Sequence, residues 1–280
     1  MIVSGENYPF QLGSFECLAL SDGSWDYPIR NLFANVRADR VKEALRRNNL
    51  PIDYVTTPYT FLCINTGEQQ VLVDMGAGDR LAPRTGKLPH NLRASGIEPS
   101  EIDSVIITHA HPDHVGGALD EVGQPRYAKA DYTISRSEWE FWLSEASAAK
   151  APRRFVDVAR RNLGPLRDRL TLVEGEADIV PGIRVIPAPG HTPGHLVVEV
   201  TSGKALLLYI SDTVVHPLHL EHPTWQPIYD LEPESAAISK RRIFDRAAAE
   251  NALVMGQHLP PFPSLGTVVK HGRGWKWQPI

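Results

Sequence analysis

The segment Thr108-His109-Ala110-His111-Pro112-Asp113-His114 constrains this chain more than any other feature. It packs three imidazoles and a carboxylate into six positions, directly behind a short apolar run at 104–108. Imidazole nitrogens and carboxylate oxygens are the usual protein ligands of a borderline divalent ion such as zinc. Ligands that follow a strand are held by a rigid element, which is what a metal site needs. His109 and His111 flank Ala110, so both project the same way from extended backbone. Pro112 then forces a turn, and Asp113 and His114 approach from a second direction. The spacing predicts one ion on the first pair and a second ion on the other. A chance cluster of surface histidines is the alternative, and this spacing argues against it.

Two ligands per ion are too few, so the rest of the chain must supply more. His191 lies in the Gly/Pro loop Ala188-Pro189-Gly190-His191-Thr192-Pro193-Gly194, behind a strand-like run at 183–187. Asp212 follows the apolar run 206–210, and His258 follows 253–257. Each of the three stands just beyond a strand, so a converging rim is the expected arrangement.

Strand-type runs recur along the chain at 15–20, 59–65, 71–74, 104–108, 132–135, 170–173, 183–187, 196–201 and 205–210. Turn chemistry at Ser21-Asp22-Gly23 and Thr66-Gly67 is expected to close the early ones. Helices are predicted at 38–48, 137–146, 153–162 and 234–250, and a terminal hairpin at 267–278 across His271-Gly272-Arg273-Gly274. The 38–48 helix carries Val41, Ala44 and Leu45 on one face and interrupts what would otherwise be a hairpin. It reads either as a lid over a site or as a simple packing helix. With strands and helices mixed throughout and no linker-like stretch, the expectation is one α/β domain over residues 1–280.

Composition narrows the function. With 29 basic and 33 acidic residues the formal net charge is −4, so no global basic field exists to attract a phosphate backbone. The local run Arg153, Arg154, Arg160, Arg161, Arg167, Arg169 reads as a solvated helix face. Cys17 and Cys63 are the only cysteines and form no disulfide framework. The first residues, MIVSGENYPFQLG, lack the basic and apolar regions of a signal peptide. No apolar run approaches the roughly 18 residues that a membrane span needs. A cytoplasmic protein acting on a small molecule, without nucleic-acid or membrane partners, is expected; a homodimer is left open.

His109-x-His111-x-Asp113-His114, followed in order by His191, Asp212 and His258, resembles the pattern of the metallo-β-lactamase superfamily. Asp74, in Leu72-Val73-Asp74-Met75-Gly76, is similar to that family's earlier Asp motif, and the likeness runs from about residue 15 to 280. It implies an α/β fold of four layers, an αββα sandwich, with the site at one edge of the two sheets. It implies His109, His111 and His191 on one metal and Asp113, His114 and His258 on the other, with Asp212 bridging. Asp74 would orient a ligand imidazole. Two divalent ions per chain follow, zinc first, with Mn, Co or Fe as alternatives. The implied reaction is hydrolysis: a metal-bridging water is deprotonated near neutral pH to hydroxide and attacks a carbonyl or phosphoryl centre. Asp113 or Asp212 would handle the proton for the leaving group.

Among the branches of that superfamily, flavodiiron enzymes typically have Glu where this chain has His111. Glyoxalase II-like thioesterases carry a longer helical part after the last ligand, nucleases a basic exosite, and true β-lactamases usually lack a bridging Asp. A mononuclear iron sulfur dioxygenase and a non-catalytic metal-binding module stay as alternatives. The run from Ser211 to Pro217, with Glu221-His222-Pro223 and Asp230, resembles the methyl parathion hydrolase-like and lactonase branch. So does Gly256-Gln257-His258-Leu259-Pro260-Pro261-Phe262-Pro263. One departure is Val215, where quorum-quenching lactonases often have Tyr. A hydrolase of small esters or lactones is expected, with phosphotriesters as further substrates. His216, His219 and Trp225 are the candidates for the substrate pocket, and His195 is expected to support a ligand or to be structural rather than to be a ligand itself.

Overall fold

Strand residues alternate between two apolar environments in the computed structural model, which describes residues 6–78 and 81–280. One sheet holds β1 Asn7–Leu12, β2 Phe15–Pro28, β3 Tyr54–Asn65, β4 Gln70–Val73, β5 Ser104–Ile107, β6 Asp131–Ser135 and β7 Leu170–Val173. The other holds β8 Ala177–Val180, β9 Ile183–Pro187, β10 Leu196–Ser202, β11 Ala205–Ser211, β12 Leu253–Gly256, β13 Leu265–His271 and β14 Gly274–Pro279. Each sheet has seven strands in simple chain order. The first half of the chain therefore builds one sheet and the second half the other.

Period-two patterning makes both faces of each central strand apolar. On β4, Val71 and Val73 point between the sheets while Leu72 points outward; on β5, Ile106 points in while Val105 and Ile107 point out. From the second sheet Val198, Leu207 and Tyr209 meet the inward set, and Val197, Leu208 and Ile210 face outward.

The outward faces are covered by helices. Against the first sheet lie α3 Leu88–Ala94, α5 Arg136–Leu143 and α7 Arg153–Leu163, contributing Leu92, Trp142 and Val156. Against the second lies α9 Pro233–Ala249, contributing Ile243, Phe244 and Ala247. The layers thus run helix, sheet, sheet, helix, the αββα order expected from sequence. The short helices α1 Ile29–Leu32, α2 Ala38–Arg47, α4 Pro112–Val115, α6 Ala146–Lys150 and α8 Leu218–Glu221 complete the set. Among the described residues no helix is long and apolar enough to cross a membrane.

One local expectation needs correction, and packing bears on one alternative left open. Ser21-Asp22-Gly23 does not close β2: the strand continues to Pro28, with a register shift between Ser21 and Gly23. The bulge takes up Gly23 at φ +114°. The buried Asp22 carboxylate accepts the backbone N–H groups of Ala77 and Leu88, so this turn-like tripeptide anchors a neighbouring loop. The open alternative concerns α2. Its apolar residues Val41, Ala44 and Leu45 pack with Leu32, Phe33, Val55, Val215, Leu218 and Trp225, which is the packing role of the two considered.

Candidate metal centre

Most residues picked out around the histidine motif sit close behind the end of a strand, while Asp113 and His114 lie in the short helix α4. Asp74 follows β4, Thr108 and His109 follow β5, Asp212 follows β11, and His258 lies two residues past β12. His191 occupies the loop between β9 and β10. Asp74 and Ser211 adopt φ of +61° and +46°, a region that non-glycine residues enter only when the surroundings enforce it. Those surroundings are visible. Thr108 donates its N–H to Asp74 Oδ1 at 2.7 Å and its hydroxyl to Asp74 Oδ2 at 2.7 Å. With that proton committed, Ser211 Oγ donates to Thr108 Oγ1 at 2.8 Å, joining strand ends of both sheets.

Seven side chains converge beyond these ends in two sets: His109, His111, His191 and Asp212, and Asp113, His114, Asp212 and His258. Within each set one ligand-type atom per residue lies within 4.8 Å of all the others, and Asp212 belongs to both. His191 Nε2 is 2.9 Å from His111 Nδ1 and 3.2 Å from Asp212 Oδ2. His258 Nε2 is 3.2 Å from Asp113 Oδ2 and 3.4 Å from Asp212 Oδ2. His114 Nε2 lies 3.5 Å from Asp212 Oδ1. The outer nitrogens are taken: His114 Nδ1 by Asp74 Oδ2 at 2.8 Å, His191 Nδ1 by Asp230 Oδ1 at 2.9 Å, and His258 Nδ1 by the Pro58 carbonyl at 3.1 Å. Carbonyl and carboxylate oxygens only accept, so each Nδ1 carries a proton and each Nε2 is the nitrogen that faces the centre as the ligand atom.

Whether this centre suits a cation is decided by its unpaired atoms. His109 Nε2, His114 Nε2 and Asp212 Oδ1 are buried and have no hydrogen-bond partner, an expensive state for polar atoms unless something fills it. All three are Lewis-basic and belong to the two sets, so divalent ions fit. Electrostatics agree. Burial works against protonation of His191 and His258, yet Asp212 with Asp230 or Asp113 raises both to about 9. Burial and neighbouring imidazoles hold His109 and His111 well below the ordinary histidine value. The carboxylates therefore stabilise positive charge here, and the two lowered imidazoles remain neutral donors.

A cavity of about 190 Å³ opens on this centre, walled by Trp25, Tyr27, Leu32, Tyr59, Phe155, Val215 and Tyr229 beside the ligand-type residues. His216, His219 and Trp225, expected to face the substrate, are not among its lining. They pack edge-on around Phe33 with ring centroids 5.1–5.7 Å away, and His219 donates to the Leu32 carbonyl at 2.8 Å. Apolar packing behind α1 wins over exposure to the cavity. His195 lies outside both ligand sets, and its Nε2 accepts the Asp212 N–H at 3.1 Å. Sequence reasoning missed Tyr27, Tyr59, Phe155 and Tyr229, which reach the cavity only through long-range packing. Tyr27 and Tyr59 share a hydroxyl–hydroxyl contact of 2.5 Å, and the Tyr59 ring stands edge-on to His258 at 4.9 Å. Asp230 was noticed in a motif, but its bond to His191 was not foreseen.

The sequence model of the family described as Metallo-beta-lactamase superfamily matches residues 53–258. An N-acyl homoserine lactonase from Bacillus sp is 27% identical over 193 residues, 68% of this chain and 66% of that protein. The chain thus matches slightly under two thirds of the length of that relative. The solved structure of AidC, described as a dizinc quorum-quenching lactonase in complex with a product, superposes with a TM-score of 0.93 at 26% identity, covering 98% of this chain and 97% of AidC. AbOPH, a hydrolase described as in the beta lactamase superfamily, superposes with a TM-score of 0.90 at 28% identity, covering 98% and 97%.

Proposed function

The chain belongs to the metallo-β-lactamase superfamily, and on that premise we propose that it is a hydrolase that opens lactones or cleaves small esters at a pair of divalent ions, zinc first among them. One observation carries the reading. Two four-residue ligand sets share the Asp212 carboxylate at the floor of a cavity, and three of their buried atoms lack any other partner. The names of its relatives support the substrate class, since AidC is described as a dizinc lactonase and the Bacillus relative as an N-acyl homoserine lactonase.

In this reading His109, His111, His191 and Asp212 hold one ion, and Asp113, His114, His258 and Asp212 the other. The chemistry supplied by such a pair is Lewis acidity toward a carbonyl or phosphoryl oxygen, together with activation of water near neutral pH. The chain does the rest. Asp74, Asp230 and the Pro58 carbonyl fix the Nδ1 protons, so that no reorganisation is needed during turnover. Asp113 faces the cavity, with Oδ2 steadied by Gln257 Nε2 at 3.1 Å, and its carboxylate would take the proton given up by the attacking water and pass it to the departing oxygen. The aromatic walls exclude bulk water and hold the apolar part of the substrate. A cavity near 190 Å³ lies below the roughly 300–1,000 Å³ of drug-sized pockets, which favours a compact ring with a short chain over a polymer. The buried free thiols of Cys17 and Cys63 suit a reducing compartment such as the cytoplasm.

The test is a hydrolysis screen of zinc-loaded protein against N-acyl homoserine lactones, simple lactones, aryl esters, phosphotriesters and RNA, with a chelated control. Lactone or ester turnover that disappears on chelation is the expected result, with weaker phosphotriester turnover. RNA cleavage faster than every small substrate, or turnover indifferent to chelation, would overturn it.

A further inference from the structure

Glu138, in the first turn of α5, is fully buried and lies outside both ligand sets. Its carboxylate accepts from four donors. Oε1 takes the Ala110 N–H at 2.9 Å and the Trp142 indole N–H at 2.6 Å. Oε2 takes the Thr192 hydroxyl at 2.7 Å and the Gly194 N–H at 2.9 Å. Four donors match the lone-pair capacity of one ionised carboxylate.

The identity of those donors matters. Ala110 is the single residue between His109 and His111. Thr192 follows His191, and Gly194 ends the same loop. Trp142 stands edge-on to His111, with ring centroids 5.6 Å apart. One carboxylate therefore grips the backbone or the packing partner of all three imidazoles in the first ligand set, and those imidazoles come from both halves of the chain. The second set has separate supports in Asp74 for His114, the Pro58 carbonyl for His258 and Gln257 for Asp113, none of which touches Glu138. The close fit is built in at Gly194: a Cβ there would meet the Glu138 backbone nitrogen at 2.2 Å and its Cβ at 2.6 Å.

We propose that Glu138 is a positioning residue that assembles the His109–His111–His191 half of the centre selectively, by locking its two loops to each other through α5. The proposal rests on the two-ion reading above and adds to it a division of labour between the two halves. Charge alone does not explain the arrangement, because the carboxylate acts through hydrogen bonds to two loop N–H groups, the Thr192 hydroxyl and the Trp142 indole, and bonds to no ligand side chain.

The variants Glu138→Gln and Thr192→Val separate the idea from a general loss of fold. Glutamine keeps the shape but turns an NH₂ group toward two donors. Valine removes a single donor, and Thr192→Ser restores it. Apo-protein is titrated with zinc against a chromophoric chelator, and anomalous scattering from crystals grown at limiting zinc reads the occupancy of each half. Glu138→Gln is expected to weaken the ion on His109, His111 and His191 by roughly 10–100-fold, the usual range for an outer hydrogen-bond partner. Thr192→Val should weaken the same ion, Thr192→Ser should recover it, and the ion on Asp113, His114 and His258 should stay near its original affinity in all three. Equal weakening of both ions in Thr192→Val, or no change in either, would overturn the proposal. If Glu138→Gln fails to fold, the Thr192 pair still decides. A wild-type protein that binds no zinc would instead remove the two-ion reading itself.

Discussion

At the scale of the residue, the centre is governed by which atom of each imidazole is already spoken for. Asp74 is the clearest case. Its carboxylate receives the Nδ1–H of His114 and both the N–H and the hydroxyl of Thr108, with no exposure to solvent. Burial pushes against ionisation of such a group, and its pKa is raised, although His114 and Thr108 pull the other way. Asp74→Asn keeps the volume but supplies one acceptor where three donors converge, so whichever way the amide turns, its NH₂ faces a donor. The expected result is a loss of about 10–100-fold in affinity for the ion beside His114, measured by chelator competition. The His109 side should change less, because His109 is not bonded to Asp74. Unchanged affinity for both ions would show that His114 orients itself without this carboxylate.

The elements show why some of this was readable in advance and some was not. Each ligand-type residue follows an apolar run of strand length, and that pairing of pattern and chemistry is local, so His109, His111, Asp113, His114, His191, Asp212 and His258 were identifiable before any coordinates. Glu138 carried no such signal: an acidic residue near a helix start usually faces water, and only the fold aims it at two distant loops. The cavity wall was equally hidden, since Trp25, Tyr27 and Leu32 come from the end of β2 and from α1, where Ser21-Asp22-Gly23 imitates a turn. His216 and His219 misled for the opposite reason, being polar residues near Asp212 in sequence that are packed away by Phe33. Helix α2 tests this picture. Leu45 is fully buried and shares a cluster with Leu32, which lines the cavity. Leu45→Ala should cost about 2–5 kcal/mol of stability, read by denaturant unfolding, and should raise KM more than it lowers kcat, because the wall shifts while the ligands do not. A stable variant with altered kcat alone would favour a moving lid over a packed support.

Across the whole molecule the centre joins two halves that are otherwise separate sheets. His109, His111, Asp113 and His114 come from the half that builds β1–β7, whereas His191, Asp212 and His258 come from the half that builds β8–β14. Some cross-links are permanent: Leu196 donates its N–H to the Thr108 carbonyl at 2.9 Å, and Thr60 donates to the Gln257 carbonyl at 3.0 Å. Without ions, these bonds and the apolar layer between the sheets must hold the site edge together against the cost of buried atoms that lack partners. Ions bound as proposed would remove that cost and tie the halves through His191, His258 and the shared Asp212. Because only the folded chain presents both sets, ion binding adds directly to stability, by about 4 kcal/mol when free metal exceeds its dissociation constant a thousandfold. For a chain of this size about 1 kcal/mol moves Tm by roughly 2–4 °C. Chelation is therefore expected to lower Tm by about 10 °C or more, and two equivalents of zinc should restore it. The rise should come mostly with occupation of sites that span both halves, so Asp212→Ala, which removes the shared carboxylate, should abolish most of the zinc-dependent increment while leaving the apo Tm within a few degrees of the parent. Calorimetry on both proteins, with and without zinc, checks this. An unchanged increment in Asp212→Ala would mean that His191 and His258 suffice to tie the halves and that the shared carboxylate is not the link between them.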